Sequence, residues 1–369
     1  MNKKIRINIF IFKIKTILLI FIINGNFLIL HHINKIKIFE FLKNYNNKTK
    51  IFEFSQNISI FKALEILRVH QFNFLLQKNV DLDYENINFS VIRRVSCRHC
   101  GLFSNYIVYL GCIRKYLIEG FVPILEFESY KNVINGFIVD LSKGNPWEYY
   151  FNQPFGYKYS DIKKNAKNIK YFECKSNIIR PNEKIFLNKN SMNYWHIMAN
   201  QFIPIKDEII IESSKIFKQL FKGSRNILGV LLRGTDYVAR KPQGHPIPPK
   251  TEDVINDVKL FDKKNRYDCV FLTTEDNIIR QKFINAIGSK VKYLLNKNNL
   301  LYNYAKKQLL AYSIDFKKNI EFNKIYLLNI IIISKCLDLL AANTSGTIGI
   351  FVLTNGFRNY KIYHLGYYK

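Results

Sequence analysis

The sequence has 369 residues, of which 48% are hydrophobic and 23% are charged. These fractions are typical of globular proteins and exclude a disordered chain, a collagen and a small disulfide-stabilised protein. The length fits two domains or a single large one. Only one stretch approaches the length of a transmembrane helix, which excludes a transporter with several spans.

The formal net charge is +28, a balance that in many proteins indicates nucleic acid or an anionic membrane as partner. Only 13 of the 56 basic residues are arginine, and lysine, asparagine, isoleucine, phenylalanine and tyrosine are abundant, as an A/T-rich genome encodes. Nucleic-acid surfaces favour arginine, whose planar fork matches phosphate, and they cluster their charge. Because the lysines here are spread along the whole chain, we predict no nucleic-acid partner.

The first 50 residues form an apolar and basic segment. Residues 7–30 are strongly apolar, but Lys13 and Lys15 interrupt them, and the run Ile17–Ile23 is far shorter than the about 20 residues of a membrane span. Ten basic residues stand against one acid, Glu40, which suits peripheral contact with anionic lipid. Three interpretations stay open: a weak signal anchor, an interfacial hairpin, and an apolar leader without a role.

Six cysteines lie in apolar surroundings, and we predict that they are reduced thiols of the core. Cys97 and Cys100 have CxxC spacing, but the chain contains no second CxxC and no HxxxH, so a zinc site would lack two of its ligands. A thioredoxin-like redox role is the alternative for this pair. The four Asn-x-Ser/Thr sequons are expected by chance in an asparagine-rich chain and do not indicate secretion.

From about residue 90 the sequence alternates between apolar strands and amphipathic helices, the pattern of an α/β fold. Ile92–Val95 and Phe121–Phe127 predict strands, with a turn over Gly101–Asn105 and a helix over Tyr106–Glu119 between them. Together these segments predict a βαβ unit. The aromatic, proline-bounded segment Asn145–Phe155 predicts a structured loop.

The second half contains a cleaner series, since its strands are continuous apolar runs, as buried parallel strands are. The predicted strands are Ile227–Leu232, Cys269–Leu272, Val291–Leu295, Leu337–Ala342 and Ile362–Leu365. The predicted helices are Met192–Lys222, Thr251–Phe261 with Thr251 as N-cap, Asn277–Ile287, Asn323–Lys335 and a last one that ends at Leu353. We expect two doubly wound domains, over 51–222 and 223–369, after the N-terminal segment 1–50.

Polar residues follow three of these strands, at the carboxyl ends where doubly wound sheets bind their ligands. They are Arg233 and Asp236 after the first strand, Thr274, Glu275 and Asp276 after the second, and Thr344, Ser345, Gly346 and Thr347 after the fourth. An arginine binds phosphate oxygens in pairs, and a helix N-terminus offers N–H groups to an anion. The set predicts a site for a nucleoside diphosphate, although GxGxxG and GxxxxGK[ST] are absent from the sequence. Taken singly, each residue also fits a surface salt bridge or a helix cap.

Several of these segments resemble the α-1,6-fucosyltransferases, including the nodulation fucosyltransferases, and the protein O-fucosyltransferases. Leu228–Tyr237 is similar to the family segment GVHVRRTD, His245–Ile247 to its HPI, and Phe271–Asp276 to its strand end YLATDD. Asn343–Gly346 stands at the place of the family's Ser-Ser donor loop.

The resemblance extends over about residues 95–366. Gly101–Asn105 resembles the first turn of the acceptor domain, and Asn145–Phe155 resembles bacterial members. Two positions depart from the family: its second arginine is Gly234 here, and its leading histidine is Leu231. Because the Arg-Arg pair marks the α-1,6 enzymes, the linkage stays open.

The resemblance implies an α/β, GT-B-like fold with two Rossmann-like doubly wound domains that face a cleft. It implies GDP-fucose as donor, a glycan as acceptor, inversion at the anomeric carbon, and neither a metal nor another cofactor. Arg233 aligns with the essential arginine that contacts the β-phosphate. Candidates on the acceptor side and in loops are Gly101, Asn105, Trp147, Glu148 and His245. By residue type alone, Glu148, Glu275 and His245 are candidates for the base.

We therefore expect a membrane-associated fucosyltransferase of glycan biosynthesis. Its location would be cytoplasmic, at the inner face of the membrane, or the Golgi membrane if the host is a eukaryote. Two alternatives stay open: a GT-B transferase with another nucleotide sugar, and a catalytically decayed, membrane-associated binding protein.

Overall fold

The computed structural model describes residue 84 and the ranges 87–94, 100–127, 133–134, 137–138, 144–174, 178–294 and 316–369. All of them belong to one compact unit, Arg68–Lys369, and the other unit, Met1–Leu67, lies outside the described residues. The apolar segment 7–30 therefore lies outside them as well. Within the described ranges, no helix combines the length and the apolar character that a membrane crossing requires.

The first lobe, which we define as the described residues up to Phe221, contains a three-stranded parallel sheet with strand order β2-β1-β5. Its elements are β1 (Asn88–Arg93), α1 (Leu102–Ile118), β2 (Val122–Leu125), the hairpin β3 (Val133–Ile134) and β4 (Phe137–Ile138), α2 (Tyr159–Asn165), β5 (Asn168–Glu173), α3 (Lys189–Phe202) and α4 (Asp207–Phe221). The segment predicted as a structured loop forms two short 3-10 turns, Pro146–Tyr149 and Pro154–Gly156.

The predicted βαβ unit is confirmed, but its helix begins earlier than expected. Gly101 is the extended N-cap of α1, and the N–H of Asn105 donates to the carbonyl of Gly101 at 3.1 Å, so the predicted turn over Gly101–Asn105 is the first turn of the helix. The strand β5 was not predicted, because its residues are mostly exposed or half-buried and include three polar side chains. An edge strand does not show the continuous apolar run of a buried one.

The single helix predicted over Met192–Lys222 is two helices, α3 and α4, with a break over residues 203–206. Pro204 lies in the break, because proline and the residue before it are poorly compatible with a continuing helix. The side chain of Asn188 caps α3 by accepting from the N–H of Ser191 at 2.9 Å. Asp207 and Glu208 open α4, where negative charge favours a helix start.

The second lobe, which we define as residues 227–294 and 316–369, contains a five-stranded parallel sheet with strand order β10-β9-β6-β7-β8. Its elements are β6 (Ile227–Leu231), α5 (Thr235–Arg240), α6 (Thr251–Asn265), β7 (Cys269–Thr273), α7 (Asn277–Ile287), β8 (Val291–Lys292), α8 (Phe316–Ile333), β9 (Asp338–Ala342), α9 (Ser345–Leu353) and β10 (Tyr360–Tyr363). The α/β fold with parallel sheets is thus as predicted.

Several details of the second lobe differ from the prediction. The helix α8 begins at Phe316, seven residues before the predicted start at Asn323. Lys250, not Thr251, is the N-cap of α6, and Thr251 is its first helical residue. The strand β8 has two residues instead of five, and β10 begins two residues earlier than expected. The helix α5 was not predicted, since its short polar sequence has no apolar period. The two lobes join near residue 222, where the domain boundary was predicted. Both lobes lie in one compact unit, so the domain ranges stay predictions.

The two lobes are joined by α9, whose residues from Gly346 to Val352 are all buried. Its Gly349 faces Phe103 of α1 so closely that a β-carbon there would collide with the phenyl ring. Gly229 of β6 is also closely packed, because a β-carbon there would come within 2.5 Å of Cγ1 of Ile333 on α8. Glycine at these positions lets the helices approach the sheet and each other.

The prediction that all six cysteines are reduced is wrong for at least three of them, Cys100, Cys112 and Cys174. Cys112 of α1 and Cys174, just after β5, form a buried disulfide with their Cα atoms 6.3 Å apart. The 62 residues between them hide this proximity in the sequence. Cys269 and Cys336 are free and buried, as predicted, and burial raises the pKa of the Cys336 thiol. Cys100 is disulfide-bonded as well, and Cys97 lies outside the described residues.

At the opposite edge of the second sheet from its carboxyl ends, β9 begins with the fully buried Asp338. Arg358 donates to its carboxylate from Nη2 at 2.6 Å and from Nε at 3.1 Å, and the N–H of Asn359 donates at 2.8 Å. The phenol of Tyr267 donates to the same carboxylate. This network ties the start of β9 to the residues before β7 and β10.

We expect Asp338→Ala to lower the free energy of unfolding by about 1–3 kcal/mol, because it leaves the hydroxyl of the buried Tyr267 without its acceptor. Urea unfolding measures the change. The matched control is Glu252→Gln, which removes an exposed ion pair to Lys282 at 2.6 Å and should change the stability little. Equal effects of the two substitutions would contradict this role of Asp338.

The same network predicts how stability depends on pH. Burial acts to raise the pKa of Asp338, but the hydrogen bonds from Arg358, Tyr267 and Asn359 outweigh it and lower the pKa. The unfolded chain therefore binds this proton more readily, at a pKa of about 3.9. The contribution of the Asp338 carboxylate to the free energy of unfolding is complete above that pH and is lost as the pH falls below it. Urea unfolding between neutral and acidic pH should show a shallower loss of stability in Asp338→Asn than in the wild type.

Candidate functional site

Three neighbouring strands bring the predicted polar clusters to one edge of the second sheet. In the central strand β6, Leu231 pairs with Thr273 of β7 on one side and with Ala341 of β9 on the other. The strands are parallel, so the residues that follow them emerge at the same edge. Arg233 thus lies between the cluster that begins at Thr274 and the one that begins at Thr344.

Arg233 follows β6 by two residues and is partly exposed at this edge. Its guanidinium carbon lies 4.1 Å from the centre of the Tyr237 ring, a distance at which the cation and the ring attract each other. Tyr237 is four residues further along α5, so it faces the same side of the helix start. The side chain of Asp236, predicted to bind the donor, lies outside the described residues.

The residues after β7 hold the turn that carries Arg233. The N–H of Gly234 donates to Oε1 of Glu275 at 3.0 Å. Asp276 caps α7 by accepting from the N–H of Ile278 at 2.7 Å, and its own N–H donates to the hydroxyl of Thr274 at 3.1 Å. Asp276 and Thr274 therefore have structural partners, and Glu275 fixes the backbone next to Arg233.

The third cluster opens α9. Thr344 is the N-cap, and its hydroxyl accepts from the N–H of Thr347 at 3.3 Å. The hydroxyl of Thr347 is buried and donates to the carbonyl of Ala342, so it points into the fold. The N–H groups of Ser345 and Gly346 belong to the first turn and have no acceptor within the helix. They are the part of this cluster that can bind an anion.

Tyr326 of α8 is a member of the site that the sequence did not reveal. Its hydroxyl lies against Gly346, where a β-carbon would collide with it. Burial raises the pKa of Tyr326 to about 12, with a downward contribution from Arg233 and upward ones from Tyr237 and Glu275. The apolar pattern of the helix explains its packing and gives no signal of the phenol's position.

A second unpredicted group joins the lobes beside the same edge. Glu183 of the first lobe accepts from the phenol of Tyr367, and its carboxylate lies 3.8 Å from Nδ1 of His364. Asn343, the residue after β9, lies 2.9 Å from the same nitrogen. Burial acts to raise the pKa of Glu183, but hydrogen bonds from Tyr367 and Asn343 and the proximity of His364 lower it overall.

The candidates at the start of α1 are held by the first lobe's own structure. Gly101 is exposed and caps the helix, with open space around it. Asn105 is buried, accepts from Arg94 at 2.7 Å and donates to the carbonyl of Cys100 at 3.1 Å. These contacts fix the strand-to-helix turn after β1.

Trp147 and Glu148 have structural partners as well. The Trp147 ring is buried and stacks on Phe151, with the ring centres 4.5 Å apart. The carboxylate of Glu148 accepts from Nε2 of Gln153 at 3.0 Å, and the same nitrogen donates to the carbonyl of Leu125 at the end of β2 at 2.7 Å. Of these two residues, only Glu148 is partly exposed.

His245 lies beside Tyr237, the residue whose ring contacts Arg233. Its ring centre is 5.1 Å from that of Tyr237, and its backbone carbonyl accepts from the N–H of Tyr368 at 2.9 Å. The C-terminal residues thus hold the loop that carries His245. Of the three candidates for a base, His245 and Glu275 adjoin the Arg233 turn, whereas Glu148 lies in the first lobe.

The site is therefore a polar edge of the sheet that contains Arg233 and the N-terminus of α9, with Tyr237 and Tyr326 beside them. Within the described residues, no group of three or more His, Cys, Asp or Glu side chains is arranged to hold a metal ion. Arginine side chains and the N–H groups of a helix N-terminus are both groups that bind phosphate oxygens.

No protein-family model and no curated protein sequence matches this chain. Among solved structures, it is similar to a fucosyltransferase NodZ from Bradyrhizobium, with 13% identity over 73% of this chain and 94% of that chain, at a TM-score of 0.44. It is similar to POFUT1 in complex with GDP, with 10% identity over 75% and 99% of the chains, at a TM-score of 0.41. A variant of FUT1 from Arabidopsis thaliana in complex with GDP is 9% identical over 81% and 78% of the chains, at a TM-score of 0.44. Similarity at this level assigns no role to any residue of this chain, so each role is argued from the contacts of that residue.

The packing around Gly234 predicts the effect of adding a side chain. A β-carbon there would come within 2.5 Å of Ile279 Cδ1 and 2.8 Å of Asp276 Oδ2, so a side chain at position 234 would displace these neighbours. We expect Gly234→Ala to lower the free energy of unfolding by about 1–3 kcal/mol, because it displaces the cap of α7. Thermal or urea unfolding measures this loss. Gly101→Ala, at an open position, is the control and should cost less.

Proposed function

We propose that this chain is a glycosyltransferase that transfers fucose from GDP-fucose to a glycan acceptor with inversion. The observation that carries the proposal is the position of Arg233 at the end of the central strand β6, between the residues after β7 and the N-terminus of α9. The motif resemblance of Leu228–Tyr237 to fucosyltransferases supports the choice of sugar and nucleotide.

In this proposal Arg233 and the N–H groups of Ser345 and Gly346 bind the diphosphate of the donor. The acceptor hydroxyl attacks the anomeric carbon as the bond from that carbon to the β-phosphate oxygen breaks, and GDP leaves with the bonding electrons. Negative charge grows on the diphosphate in an oxocarbenium-like transition state. A fixed cation therefore stabilises the transition state more than the bound donor, and this difference is what lowers the barrier.

The acceptor hydroxyl must lose its proton to a base. His245 and Glu275 adjoin Arg233, and an imidazole and a carboxylate are both side chains that can accept a proton. Both stay candidates, together with Glu148. A metal-independent reaction, contact with a membrane and a role in glycan biosynthesis also stay predictions, and another nucleotide sugar is the alternative donor.

We expect Arg233→Ala to lower kcat for fucose transfer or for slow hydrolysis of GDP-fucose about 100- to 1,000-fold, the range found when one donor to a developing oxyanion is removed. Arg233→Lys should restore only part of this loss, because lysine lacks the two-pronged fork. The control is Arg280→Ala, an arginine of the same lobe that lies 5.1 Å from the Tyr293 ring and should leave kcat unchanged.

The assay compares GDP-fucose, GDP-mannose, UDP-sugars and dTDP-sugars, each with EDTA present, and measures thermal stabilisation by the free nucleotides. Stabilisation by GDP that is lost in Arg233→Ala supports the donor site. A response to UDP or dTDP alone would overturn GDP-fucose in favour of another nucleotide sugar. No response to any nucleotide would contradict the whole proposal.

A further inference from the structure

A cavity of about 450 Å³ lies on the first lobe, between residues 178–184, which follow β5, and the start of α3. This volume is within the range of small-molecule sites, about 300–1,000 Å³. The polar residues that line it are Arg180, Asn182, Lys184 and Ser191, and Trp195 forms an apolar wall. Among the described residues that line it there are two cations and no acid.

Arg180 is the central feature of this cavity. Its side chain is partly buried, and burial lowers its pKa. Among the described residues, none forms a hydrogen bond or an ion pair with its guanidinium. By contrast, the partly buried Arg93 lies 2.7 Å from Glu126. A cation withdrawn from water without a partner is costly, and a bound anion would remove that cost.

The cavity is built on rigid backbone. The Cα of Gly111 on α1 lies close to residues 178–184. A β-carbon at Gly111 would lie 2.7 Å from the carbonyl oxygen of Ile179 and 2.8 Å from Cβ of Arg180. On the other side, Oδ1 of Asn182 accepts from the N–H of Lys184 at 3.0 Å, which leaves the Asn182 amide N–H groups as donors. The lining therefore presents donors at fixed positions.

The cavity lining is linked through the chain to the edge that we assign to the donor. Asn182 and Lys184 flank Glu183, whose carboxylate accepts from Tyr367 and lies 3.8 Å from His364. Asn343, next to the same histidine, leads directly into the first turn of α9. An acceptor held on the first lobe would thus approach the second lobe beside its anion-binding edge.

We propose that this cavity binds the acidic group of an anionic carbohydrate acceptor, a carboxylate or a phosphate ester, through Arg180. The proposal rests on the proposed sugar transfer for the role of acceptor. Arg180 pairs with the oxyanion, Lys184 adds charge, and the Asn182 amide and the Ser191 hydroxyl bind sugar hydroxyls against the Trp195 wall. A neutral sugar of the same size lacks the group that Arg180 requires.

The test is calorimetric titration of the full chain at constant ionic strength with D-glucuronate, glucose 6-phosphate and glucose. We expect one acid or both to bind at least tenfold more tightly than glucose, and the stronger of the two identifies the carboxylate or the phosphate. Arg180→Gln should abolish this preference, and Arg180→Lys should keep part of it because the charge remains while the fork is lost. The control is Arg225→Gln, an exposed arginine outside the cavity, which should bind as the wild type does.

Binding of GDP to the same variants separates this inference from the proposed function. If Arg180→Gln binds GDP normally but has lost its preference for the acidic sugars, the cavity is an anion site apart from the donor site. Equal affinity for acids and glucose, or a preference that survives Arg180→Gln, would overturn the inference whether or not GDP binds. Failure of the wild type to bind GDP would overturn the donor site alone.

Discussion

The position of Arg233 depends on one constraint on the backbone: the parallel strands β9, β6 and β7 are neighbours and end at the same edge. A sheet that is buried on both faces fixes its register through packing, so the residues after each strand have little freedom at their first positions. Leu231 is locked between Thr273 and Ala341, and Arg233 follows it after a single leucine. The chemistry of the edge is therefore set by which residues follow these three strands.

The second condition is the joint between the lobes. The helix α9 presents its N-terminus to the site while the rest of it is buried against the first lobe, with Gly349 facing Phe103. Tyr326 lies at the same joint, since its ring is 5.7 Å from Phe103 and its hydroxyl is against Gly346. The first turn of α9 is thus stabilised by contacts from both lobes. The polar group around Glu183 adds hydrogen bonds across the same joint.

The sequence predicted the elements whose signal is local. The strands β6, β7 and β9 are uninterrupted apolar runs, and polar residues follow each of them at the same edge of the sheet. The edge strand β5 and the short helix α5 were missed, because partial exposure removes the apolar period on which the prediction depends. The break between α3 and α4 shows the same limit, since Pro204 indicated a start without separating the two helices.

The features that depend on distant contacts could not be predicted. The pairing of Cys112 with Cys174 requires that α1 cross the end of β5, which no spacing in the sequence encodes. Trp147 and Glu148 have the residue types of a sugar site, yet one ring is stacked in the core and the carboxylate is held by Gln153. Tyr326 and Arg180 show the converse, because only their surroundings distinguish them from other tyrosines and arginines of the chain.

We propose that GDP binds across three strand ends at once. The test is hydrogen exchange of the full chain, followed by mass spectrometry with and without GDP. We expect slower exchange in peptides that cover 231–237, 273–277 and 343–347, and loss of this protection in Arg233→Ala. Protection confined to other segments, or identical exchange with and without GDP, would contradict it.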